Sequence, residues 1–104
     1  MPQSSVWSSL IKEWVEKEND CFGVYYLSDE HDTVLYIGNG HILTNLKSHL
    51  AEGLNPLRDA NQYRVEYAAN ERQADKNLEI TLKEWKKKHG QLPKYNLAHT
   101  QVAS

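Results

Sequence analysis

Sulfur chemistry is almost missing from this chain. Its one cysteine, Cys21, can form no disulfide within the chain, so the fold is held by its core and suits a reducing compartment. Cys21 has no CxxC partner and no basic neighbour in sequence, and buried strand filler is expected of it rather than a reactive nucleophile. No charged start leads into an apolar stretch, so neither a signal peptide nor a membrane span is expected. The cytoplasm is the expected compartment. Positive charge is also short: twelve lysines and arginines face fourteen aspartates and glutamates, whereas tight duplex binders usually carry a basic face. The one dense basic run, Lys86-Lys87-Lys88-His89, reads as the solvated end of a helix, where cations suit the negative end of the dipole. Repeats and low-complexity segments are missing too. Composition alone argues mildly against tight nucleic-acid binding.

What the chain does have is regular patterning over 104 residues, the length of one domain. Val6, Trp7, Leu10, Ile11, Trp14 and Val15 recur at helical spacing and predict an amphipathic helix over 6–18, its tryptophans packed in the core. Phe22 to Leu27 and Thr33 to Ile37 are rich in β-formers and flank polar turn material, the mark of a hairpin. Asn39-Gly40 is a turn signal, followed by a helix bearing Leu43, Leu46 and Leu50. Tyr63 to Ala68 alternates as a third strand. A long helix follows over 70–88, with Ala74, Leu78, Leu82 and Trp85 as its buried stripe and Gly90 as its stop. Residues 97–104 read as a loose tail. The order predicts an α+β fold: a small three-stranded, mostly antiparallel sheet flanked by helices, with an added N-terminal helix.

One apparent metal site dissolves on inspection. Asp29, Glu30, His31 and Asp32 are all ligand types, but four adjacent hairpin residues cannot converge on one ion. A solvated turn is expected there.

The hairpin carries a sharper signal. Gly23-Val24-Tyr25 lies on its first strand and Tyr36-Ile37-Gly38 on its second, followed by a helix, a strand, a helix-borne Glu79 and Pro93-Lys94-Tyr95-Asn96. With this order, residues 22–96 resemble the GIY-YIG nuclease superfamily. The resemblance implies a shallow site for metal-dependent DNA cleavage. It assigns catalytic roles to Tyr25, Tyr36, His49 and Asn96, phosphate binding to Gly38 and Asn39, and a magnesium or manganese ion to Glu79. The family's arginine position is occupied by Asn45.

The chemistry gives these residue types a reason to sit together. Hydrolysis of a phosphodiester needs an activated water and relief of charge on the phosphoryl oxygens. One carboxylate can hold magnesium, which keeps most of its waters, and a tyrosine or histidine can take the water's proton. Arginine presents a fixed cationic fork to phosphate; Asn45 offers only neutral hydrogen bonds. Lys47 lies two residues from Asn45, about 200° round a helix, and cannot stand in for the arginine. Two readings follow. One is a GIY-YIG-like domain with weak or absent phosphodiester cleavage and DNA as a weak partner. The other is a non-catalytic module that binds a protein through its N-terminal helix. Each site residue also has a plain structural role open to it: strand aromatics for Tyr25 and Tyr36, a surface partner of Lys83 for Glu79, a turn residue for Asn96, and an ordinary helix-surface histidine for His49.

Overall fold

The structure is a computed structural model and describes residues 7–50 and 59–96. The expected hairpin forms, with strands longer than predicted: β2 spans Phe22–Ser28 and β3 spans Val34–His41. Between them Asp29 Oδ1 accepts from the backbone N–H groups of His31 and Thr33, at 2.8 and 3.0 Å. The acidic run is therefore a self-bonded turn. Asn39 and Gly40 do not turn the chain. They pair with Val24 and Gly23 and continue β3, because β2 extends far enough back to partner them. Gly40 takes a φ of 122°, which side-chain-bearing residues rarely adopt.

The third strand of the hairpin sheet, β4 (Gln62–Tyr67), pairs antiparallel with the other side of β2. The sheet has a fourth strand that sequence patterning did not predict. A two-residue β1, Ser8–Ser9, pairs with β4 and gives the order β1-β4-β2-β3, antiparallel throughout. Formation of β1 also corrects the N-terminal helix expected over 6–18. After β1 only one helical turn forms, α1 (Lys12–Val15). The open edge of β4 captures the backbone here: Leu10 N–H donates to Asn61 O at 2.9 Å. Leu10 and Val15 are buried, whereas Ile11 and Trp14 stand 45% and 48% exposed. Trp14 is thus not the core residue its spacing predicted. Cys21 departs from expectation as well, and its side chain is exposed. It precedes β2, and its contribution to packing is its carbonyl, which accepts from Ile42 N–H.

Helix α2 (Ile42–His49) follows β3 directly. His41 at its N-terminus provides no side-chain cap, and Asp20 does so from afar, accepting from Thr44 N–H at 3.1 Å. That bond is the main reason the Asp20 carboxyl titrates below its ordinary range. Helix α3 (Glu71–His89) starts at Asn70, whose side chain accepts from Gln73 N–H, and ends at Gly90 in the left-handed conformation.

The sheet divides two cores. Tyr25, Leu27 and Tyr63 face α1 and α2, packing with Val15, Ile42 and Leu46. Val24, Tyr26 and Ile37 face α3 through Leu78, Leu82 and Trp85. The α+β class stands as expected, with four strands in place of three. No helix among the described residues is long and apolar enough to cross a membrane. The predicted tail over 97–104 and most of the loop before β4 lie outside the described residues.

Candidate active site on the hairpin

Strand alternation puts Tyr25 and Tyr36 on the α2 face, where they meet His49 from the last turn of α2. The Tyr25 hydroxyl and His49 Nε2 share a buried hydrogen bond of 3.0 Å. The Tyr25 and Tyr36 rings lie 6.0 Å apart, and the Tyr36 and His49 rings 5.5 Å apart. Burial, and then the neighbouring Tyr36, push the Tyr25 phenol far above its ordinary range. Burial also raises Tyr36. Both phenols stay protonated at neutral pH, so neither serves as a tyrosinate base.

Gly38 faces this cluster directly across from Tyr25. A Cβ there would lie 2.5 Å from the Tyr25 hydroxyl and 2.7 Å from Tyr36 Cε2. Gly38→Ala should therefore displace both rings and destabilise the domain by about 1–3 kcal/mol, as overpacking does elsewhere. A chemical-denaturation midpoint unchanged from wild type would sink this expectation.

Asn45 lies beside the cluster on α2 but turns inward on its own helix, its Nδ2 donating to His41 O at 2.8 Å. Among the described residues, Arg64 is directed elsewhere: its guanidinium is stacked 4.2 Å over the Tyr26 ring, on the sheet's other face. Arg72 belongs to α3, and Arg58 lies outside the described residues.

Asn96 proves to be a clamp on β3. Its Oδ1 accepts from Ile37 N–H and its Nδ2 donates to Ile37 O, both at 2.8 Å. β3 is an edge strand, and the carboxamide supplies the pairing that a further strand would have given to the central residue of Tyr36-Ile37-Gly38. Asn96 is buried, and its side chain bonds Ile37, whereas the turn reading would have it bond its own backbone.

Asn39 points to the α3 face, and its Nδ2 donates to Asp75 Oδ1. Asp75 is the residue sequence reasoning missed. It brings a carboxylate to Asn39 on the α3 face of the sheet, whereas Glu79 is exposed one turn further along the same helical face. That i, i+4 relation to Glu79 was the available signal. Among the described residues no three His, Cys, Asp or Glu side chains cluster for a metal. The site is thus two half-sites, Tyr25, Tyr36 and His49 on one side of the β3 edge and Asn39 with Asp75 on the other. Gly38 lies between them on β3, and the Tyr25 and Tyr36 rings fill the space its missing side chain leaves.

The family model of a domain of unknown function, DUF7508, matches residues 1–88. The chain belongs to DUF7508. Among curated proteins none matches it. Solved structures similar to this DUF7508 chain include the GIY-YIG N-terminal endonuclease domain of UvrC from Thermotoga maritima bound to its catalytic divalent cation, magnesium. That structure is 24% identical, with a TM-score of 0.59, covering 82% of this chain and 98% of the other. A variant of the same UvrC domain with an asparagine changed to alanine, also bound to its catalytic divalent cation, is 26% identical with a TM-score of 0.57, covering 82% and 97%. This DUF7508 chain has a GIY-YIG-like, nuclease-like fold.

Proposed function

We propose that this single domain is a metal-dependent phosphodiesterase acting on DNA, slowed by about two to three orders of magnitude by the neutral Asn45 in place of a charged donor. The observation that carries the reading is the buried Tyr25–His49 hydrogen bond packed against Gly38. In the tautomer that leaves Nε2 bare, His49 accepts the Tyr25 proton while the Tyr25 hydroxyl takes one from the attacking water. The raised phenol pKa values suit this relay, since Tyr25 begins and ends protonated. Asn39 is placed to hold a phosphate oxygen, because alternation along β3 turns its backbone outward, as at Ile37.

A divalent ion fits the donor set. Asp75 gives one hard carboxylate beside Asn39, with Glu79 a turn away, and magnesium asks for only one or two carboxylates while keeping its waters. Such an ion would supply Lewis-acid relief of charge on the phosphoryl oxygens. We assign the nearer ligand role to Asp75 and the outer one to Glu79.

Branched, nicked and linear DNA incubated with magnesium or manganese should be cut slowly. Asp75→Asn should lower the rate by roughly 10²-fold or more, and Glu79→Gln by less. The reverse order would move the metal to Glu79. Cleavage that is metal-independent, or equal in wild type, Asp75→Asn and Tyr25→Phe, would end the hydrolase reading.

A second reading rests on exposed Ile11 and Trp14, one turn apart on the N-terminal segment, as a protein-binding face. A partner recovered by wild type but lost with Trp14→Ala, together with no cleavage, would favour it.

A further inference from the structure

Helix α3 carries a charge pattern that its packing does not require. Arg72, Lys76, Lys83 and Lys87 are all exposed and fall within roughly 60° of one another at ~100° per residue. The ridge they form runs about 22 Å along the helix at ~1.5 Å per residue. Lysines in such places usually pair with carboxylates three or four residues away, and Glu79 lies four residues before Lys83. Among the described residues, however, the ion pairs are those of His31 with Glu30, His41 with Asp20 and Lys94 with Asp59, and none involves α3.

Two contacts fix the rotation of α3. Thr81 reaches the Tyr26 hydroxyl on β2, and Asp75 meets Asn39 on the edge strand β3. Going round the helix from Thr81 through Leu78 to Asp75 leads outward across the sheet edge, and the cations come next. Pocket-lining contacts fix the direction: Trp85 and His89 lie against Thr33 and Val34 at the start of β3, while Asp75 lies at its end. The ridge thus lies on the solvent face of α3, opposite the stripe of Ala74, Leu78, Thr81 and Trp85 that packs on the sheet, with Asp75 at its border toward the end of β3.

We propose that this ridge binds a nucleic-acid phosphate backbone on the solvent face of α3, outside the candidate site. The inference rests on the phosphodiesterase reading for its choice of ligand, but concerns binding, not hydrolysis. Charge placement fits: the carboxylates Asp75 and Glu79 sit at the inner border, where an ion would be held, and the cations lie beyond it. A length of about 22 Å matches the axial rise of roughly six phosphates of one strand. The chain's small negative net charge does not oppose this, because the field that a phosphate meets is local.

The test is the salt dependence of binding to fluorescent duplex DNA, single-stranded DNA and single-stranded RNA, with metal chelated so that nothing is cut. Four neutralised phosphates contribute a slope of about −3.6 to log K against log salt for duplex DNA, so affinity falls on the order of 10²-fold between 50 and 200 mM. A variant combining Arg72→Gln, Lys76→Gln, Lys83→Gln and Lys87→Gln should lose that slope, about one unit per residue. If it does not fold by circular dichroism, the Arg72→Gln/Lys76→Gln and Lys83→Gln/Lys87→Gln pairs should each lose about half. Loss on all three nucleic acids supports backbone recognition in general, and loss on one names the preferred form. No binding by wild type, an unchanged slope, or an equal loss in a Lys12→Gln/Lys17→Gln control overturns the proposal. The two readings fail separately: binding without cleavage leaves the ridge standing, and cleavage with an unchanged slope leaves only the hydrolase.

Discussion

Asn45→Arg should raise metal-dependent DNA cleavage by roughly 10²- to 10³-fold, the usual worth of one preorganised donor at a developing anionic charge. Room exists for the longer side chain, since Asn45 is only half-buried and the neighbouring Gly40 has no Cβ to obstruct it. The substitution gives up the Asn45–His41 carbonyl bond, a local bond that contributes about 0.5–1.5 kcal/mol at most. In exchange it gains a cationic fork beside Tyr25, Tyr36 and His49. The gain should appear in the single-turnover rate at saturating DNA. A tighter complex with no faster turnover would mean that the new guanidinium holds ground state and transition state equally. Asn45→Lys is the useful comparison. A lysine gives charge without the fork, so a lysine variant as fast as the arginine one would show that charge alone was lacking. If neither substitution changes the rate, Asn45 is not what limits catalysis, and the arginine argument falls.

That experiment depends on a residue identified from sequence, and it is instructive which residues could be. The hairpin was readable because β2 and β3 alternate and carry glycine at fixed offsets. The strand register then brings Tyr25, Tyr36 and Gly38 to one face. The first helix was misread because its periodicity is real but short of apolar partners. Only Leu10 and Val15 bury fully, and the open edge of β4 offers backbone hydrogen bonds that a solvated helix end does not. Helical periodicity measures a face, not what the face meets. Asn39-Gly40 was misread for a related reason: turn propensity is local, and the long reach of β2 is not. Asp75 was invisible because carboxylates on a polar helix are common. Only the contact with Asn39, 36 residues away in sequence, distinguishes it from Glu79. Asn96 was singled out by the motif order alone; its clamp on Ile37 spans 59 residues, and no periodicity reports such a pairing.

The clamp yields the largest expected effect on stability. Asn96→Leu keeps a similar volume but leaves the buried N–H and C=O of Ile37 without that partner, each costing about 1–3 kcal/mol. A total loss of roughly 2–4 kcal/mol is expected, which lowers the Tm of a domain this size by on the order of 10–20 °C. The segment carrying Asn96 has further anchors: Pro93 is buried, Tyr95 packs against the α2-side core, and Asp59 accepts from Lys94 Nζ and from the Tyr95 hydroxyl, each at 3.0 Å. None of these reaches the Ile37 N–H and C=O, so they cannot replace the clamp on the edge. Asn96→Asp refines the test, because it keeps an acceptor for the Ile37 N–H while placing a carboxylate oxygen against the Ile37 carbonyl. It should destabilise at neutral pH and recover partly in acid, as protonation restores a donor. Hydrogen exchange at the Ile37 amide separates the clamp from simple core loss. In Asn96→Leu that amide should lose protection beyond the global change, and loss no larger than that of Val24, on the neighbouring central strand, would show that Asn96 does not hold the edge.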